Sequence, residues 1–119
     1  MKCSVADFAK DRTIFNMTDC TLPELENKLT LFLTAEGYVF KGEKDGGKLY
    51  TKGNRVLRIL FGAFFKYFSI QVAILSKDQL FSVQVLRNSS GFSGGVIGMN
   101  QVKKEFTRLI EAFKLYFGA

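Results

Sequence analysis

Two helical patterns stand either side of a stretch that alternates like sheet, and that arrangement narrows the possible folds more than any other feature. The first pattern covers residues 21–37. Leu22, Leu25, Leu29, Phe32 and Leu33 recur at three- and four-residue spacing, laying one apolar stripe along a helix. Thr21 and Glu24 stand at capping-box spacing, and Pro23 falls in the first turn, where amides lack helical partners anyway. Gly37 supplies the left-handed residue that ends the helix. The second pattern sets Val102, Phe106, Leu109, Ile110, Phe113 and Phe117 against a polar face of Lys103, Lys104, Arg108, Glu111 and Lys114. Asn100 is its expected N-cap.

The intervening residues read as strands. Tyr38-Val39-Phe40 and Leu49-Tyr50-Thr51 flank Asp45-Gly46-Gly47, a hairpin turn in which glycine meets the positive-φ requirement. Gly53-Asn54 marks a further break. Within residues 55–75 the apolar parity changes. Leu57, Ile59, Phe61 and Phe65 are odd-numbered, whereas Phe68, Ile70, Val72 and Ile74 are even-numbered and alternate with Ser69 and Gln71. Strand side chains alternate with period two, so a continuous strand cannot switch faces, and a break is expected at residues 62–66. A helix over 55–67, with Val56, Leu60, Ala63, Phe64 and Tyr67 on one face, is the competing reading. Lys77-Asp78-Gln79 turns the chain, and Phe81, Val83 and Val85 then alternate with Ser82 and Gln84. The first 17 residues are less legible: Thr13 to Met17 alternates as a weak strand, and Ser4 with Asp7 suits a capped helical turn.

The expected fold is therefore α+β: a single antiparallel β-sheet of four to five strands with two helices packed on one face, in the order (β)-α-β-β-β-β-α. Residues 1–119 form one α+β domain, a chain long enough to bury a core without a staple. Ser69, Gln71, Ser82 and Gln84 make the other face of the sheet partly polar, able to meet solvent or a partner.

Composition removes several chemistries. The chain has no His, which eliminates an imidazole base, an imidazole metal ligand and any Ser-His or Cys-His pair. Cys3 and Cys20 are too few for a four-ligand zinc site, and they are expected to be reduced thiols, or a pair only in an oxidising compartment. Asp7 interrupts the opening residues where a signal peptide needs an apolar run, so a soluble, cytoplasmic protein is expected. Residues 56–75 have the length of a bilayer span but contain Arg58 and Lys66, each costing about 2.5–3.5 kcal/mol at a helix centre. No catalytic residues, cofactor or metal are expected, and no motif identifies a family.

Charge is divided unevenly. Residues 1–50 hold seven basic and eight acidic side chains, and residues 51–119 hold ten and three, within a net charge of +6. That asymmetry suits an acidic partner. Three places invite one. The first is the basic and aromatic segment 52–68, with Arg55, Arg58, Phe64, Phe65 and Lys66 as contacts. The second is the loop at residues 88–95. Its Gly91-Phe92-Ser93-Gly94-Gly95 matches the G-x-S-x-G pattern of an exposed nucleophilic serine, but the chain has no histidine to activate Ser93. Ser93, Gly94 and Gly95 read instead as a turn, or as amides facing an anion with help from Arg87, Lys103 and Lys104. The third is the polar sheet face. Neither Lys48–Gly53 nor Arg58–Phe65 reproduces the aromatic signature of RNA-recognition sheets. The leading expectation is a small non-catalytic binding domain for a protein or anionic partner, with a homo-oligomer as one form of protein contact. The alternative is peripheral membrane or nucleic-acid binding through residues 52–68.

Overall fold

The computed structural model describes residues 1–9, 11–44, 46–53, 67–87 and 95–119. Among them the chain forms strands β1 (Lys2–Phe8) and β2 (Arg12–Thr18), helix α1 (Leu22–Ala35), strands β3 (Val39–Lys44), β4 (Gly47–Gly53), β5 (Tyr67–Lys77) and β6 (Leu80–Arg87), and helix α2 (Gly95–Phe117). The class is α+β. A single antiparallel sheet has the order β1-β2-β6-β5-β4-β3. Six strands replace the four to five expected. The addition is β1, and the helical turn suggested by Ser4 and Asp7 is instead part of that strand. β1 is an edge strand, exposed along nearly its whole length, so its pairing with β2 rests on backbone bonds and leaves no alternating apolar signature.

Every neighbouring pair is antiparallel, which makes β2 and β3 parallel across the three strands between them. α1 carries the chain over that gap. Its 14 residues span about 21 Å at 1.5 Å per residue, close to the roughly 19 Å of four strand spacings.

The caps of α1 form as its sequence implies. The Thr21 hydroxyl accepts from the Glu24 amide at 3.3 Å and donates to Glu24 Oε1 at 3.0 Å. At the other end the Tyr38 amide donates to Leu33 O at 2.9 Å and the Gly37 amide to Thr34 O at 3.0 Å. This Schellman pair needs a left-handed residue, and Gly37 has φ +88°. Leu25, Leu29, Phe32 and Leu33 are buried; Leu22, placed in the same stripe by spacing, is exposed because the stripe meets the sheet only from Leu25 onward.

α2 begins at Gly95, so Asn100 lies inside the helix and is not its N-cap. An interior Asn costs under about 0.7 kcal/mol relative to Ala, too little to stop a helix whose later turns pack well. Phe106, Leu109, Ile110, Phe113 and Phe117 are buried, and Val102 is partly buried against them. Both helices meet the same sheet face. Phe113 stacks on Phe15 of β2 at 4.1 Å between centroids and meets Phe32 of α1 edge-on at 5.5 Å. Even residues Phe68, Ile70 and Val72 of β5 and odd residues Val83 and Val85 of β6 complete that core. The opposite face is less open than expected: Ser69 and its cross-strand neighbour Thr51 are buried, while Gln71, Ser82 and Gln84 are half-buried. The expected strand at 55–61, its break at 62–66 and the competing helix over 55–67 lie outside the described residues, although the even-numbered apolar set does form β5.

Candidate anion-binding site

The C-terminal turn of α1, the ends of β4 and β6, the start of β5 and the middle of α2 converge on one polar junction. The Schellman turn directs Tyr38 inward, where it is buried beneath α2 and its hydroxyl donates to Glu105 Oε2 at 2.7 Å. Glu105 leaves only 10% of its side chain exposed. Such a carboxylate needs several donors, and it has them. Arg108, one turn along α2, grips both oxygens through Nε at 2.8 Å and Nη2 at 2.9 Å. Lys52 Nζ of β4 lies 3.8 Å from Glu105 Oε2 and 5.7 Å from the centre of the Tyr38 ring. Arg108 Nη1 also reaches both oxygens of Glu36 at 3.3 Å, tying α2 to the end of α1.

These contacts fix the protonation states. Burial pushes the Glu105 carboxyl up, but the hydrogen bonds from Arg108 and Tyr38 outweigh it and hold the group below its ordinary range. Burial, with the hydrogen bond to Glu105 second, pushes the Tyr38 phenol well above its usual value. The Arg108 guanidinium is raised by its hydrogen bond to Glu105. At neutral pH the junction therefore holds a fixed carboxylate and a neutral phenol.

A cleft of about 620 Å³ opens at the junction, lined by Lys52, Gly53, Phe68, Gln101, Lys104, Glu105 and Arg108. Arg87 stands close by. The β5–β6 register pairs it with Ile70, placing it on the helix-covered face. It lines a cavity of about 10 Å³ whose walls include Phe68 and Glu105, residues that also wall the cleft. A second concavity, of about 250 Å³, lies between α1 and the β3–β5 strands. Leu29, Tyr50 and Val72 contribute its apolar lining, and Lys48 at its rim pairs with Glu26 at 3.6 Å, so it carries no positive surplus.

Among the contacts expected from sequence, Lys104 lines the cleft and Arg87 the adjoining cavity, while Lys103 stands exposed beside Lys104 on α2. Gly95 opens α2. Arg55, Arg58, Phe64, Phe65, Lys66, Ser93 and Gly94 lie outside the described residues. Sequence reading missed Tyr38, Glu36, Glu105 and Arg108 as members of a site, and placed Lys52 only within the basic segment 52–68. The Glu105–Arg108 spacing was a legible signal for an ion pair; the Tyr38–Glu105 contact, 67 positions apart, had none. Both cysteines are free thiols, and burial raises Cys3 to about 11. No helix among the described residues is long and apolar enough to cross a membrane, and residues 67–75 of the bilayer-length run belong to β5. A comparison with known protein families found none that matches, and a comparison with curated proteins found no match.

Proposed function

We propose that the chain is a non-catalytic binding module that takes an anionic partner at the polar junction, with a cytoplasmic setting as part of the reading. The observation that carries the proposal is the unneutralised charge beside the cleft. Lys103 and Lys104 project from α2 into solvent, and no ion pair engages their ammonium groups among the described residues. Lys52 and Arg108 extend the same positive surface, and α2 provides a rigid base for it. The non-catalytic part rests on chemistry. There is no imidazole in the chain, Glu105 is held ionised by Arg108, and the Tyr38 phenol is held neutral, so neither is poised to exchange a proton near neutral pH.

The test uses three polyanion probes: anionic vesicles, a single-stranded oligonucleotide and poly-glutamate, each titrated at low and high salt. Binding to at least one probe is expected. It should weaken steeply as salt rises, because contacts with a polyanion release counterions. Lys103→Glu with Lys104→Glu should abolish it while leaving the fold intact. Binding indifferent to salt, or unchanged in the double variant, contradicts the reading.

A further inference from the structure

Arg87 differs from the other cations of the junction in holding a buried donor that is unsatisfied among the described residues. Its guanidinium remains charged at any ordinary pH. Its Nη1 is buried and has no hydrogen-bond partner among the described residues, and none of the carboxylates pairs with it there. Glu105 walls the same cavity, but its oxygens are already taken by Tyr38, Arg108 and Lys52. A buried N–H left without an acceptor destabilises a fold, so the position favours whatever brings an oxygen to it.

Charge and size narrow that acceptor. The cleft and cavity together gather four cations, Lys52, Arg87, Lys104 and Arg108, against the two carboxylates of Glu36 and Glu105. The surplus is two positive charges. A phosphate monoester carries about −1.5 to −2 at neutral pH and matches it; a single carboxylate answers only half. The cavity of about 10 Å³ has room for roughly one oxygen-sized probe. One ligand oxygen therefore fits against Arg87 while the rest of the group occupies the wider cleft. We propose that the cleft and the Arg87 cavity form one site for a phosphate dianion, free or carried as a monoester on a small ligand, with Arg87 as its innermost donor. This rests on the anionic-partner reading and specifies the ligand.

The experiment titrates the full chain with inorganic phosphate, phenyl phosphate and acetate, holding ionic strength constant with chloride. It follows the Arg87 Nε–Hε resonance and the thermal midpoint. Phosphate or its ester should shift the Arg87 resonance and raise the midpoint, and acetate should do markedly less. Arg87→Lys keeps the charge but loses the fork, and is expected to weaken binding by about tenfold or more. If free phosphate suffices, the site takes the ion itself; if the ester is required, it takes a carried group, and either result supports the proposal. An Arg87 resonance indifferent to both phosphates overturns it, even where Arg87→Lys does not fold. So does equal binding of acetate, or wild-type phosphate affinity in a folded Arg87→Lys. Polyanion binding that needs Lys103 and Lys104, with phosphate binding indifferent to Arg87, would leave the broader reading standing and this proposal fallen. Arg87-dependent phosphate binding without polyanion binding would support this proposal and restrict the anionic partner to a small ligand.

Discussion

α2 meets the rest of the molecule in two different ways along its length. Toward its C-terminus the contact is dry and aromatic: Phe113 stacks on Phe15 and on Phe117 and meets Phe32 edge-on. Two turns earlier the contact is ionic, with Glu105 and Arg108 joined to Tyr38, Lys52 and Glu36. The aromatic end gains stability from burial, which needs no partner of defined charge. The ionic end must offset desolvation with hydrogen bonds, so it contributes less to stability and more to fixing charge in space. The same helix is an anchor at one end and the base of a charged surface at the other.

The largest effect should come from the anchor. Phe113→Ala removes two stacked neighbours and an edge contact from a side chain only 2% exposed. Chemical denaturation should register a loss of about 3–5 kcal/mol. A loss below 1 kcal/mol would mean that the aromatic end does not anchor the helix.

Glu105→Gln should cost less, about 2 kcal/mol, because the amide removes the nearer of the two carboxylates on Arg108 but leaves Glu36 in place and preserves some hydrogen bonding. Its pH signature is more telling. The folded carboxyl lies below its ordinary value of 4.5, so its contribution is present above that pH and is lost as pH falls through the lowered folded value. Tyr38 behaves oppositely. Its folded value is raised above 10.0, so its contribution is complete below pH 10 and is lost as pH rises through the raised folded value. Unfolding free energy measured across pH should show both limbs, and Glu105→Gln should flatten the acid one. An acid limb unchanged by the substitution would separate Glu105 from the pH dependence of the fold.

The smallest of these effects has the opposite sign. Thr13 is fully buried on the core face of β2, and its hydroxyl has no hydrogen-bond partner among the described residues. Thr13→Val replaces that hydroxyl with a methyl group of similar size and should raise stability by about 1 kcal/mol. A loss in its place would mean that the hydroxyl is satisfied.

The anchor was far more legible in the sequence than the ionic junction, for a physical reason. Burial of one helix face writes itself as a period: Phe106, Leu109 or Ile110, Phe113 and Phe117 follow one another at three- or four-residue steps, and all five are buried. α1 was legible for the same reason, reinforced by Thr21 and Gly37 at its ends. β1 was not, because an edge strand held by backbone bonds imposes no rule on its side chains. The junction depends on residues distant along the chain meeting through a crossover, and no local pattern encodes that Tyr38 will face Glu105. Lys103 and Lys104 were legible as exposed charge, and Arg87 as a basic residue near the loop. That Arg87 lies on the covered side follows from the parity it shares with Phe81, Val83 and Val85, and the strand register agrees.

Mapping backbone amide shifts during a polyanion titration tests most directly whether the two ends of α2 have different roles. Changes should concentrate at residues 101–108, at Lys52 and Gly53, and at Arg87, while residues 113–117 stay still. Shifts centred on the aromatic end, or spread evenly along α2, would contradict that division.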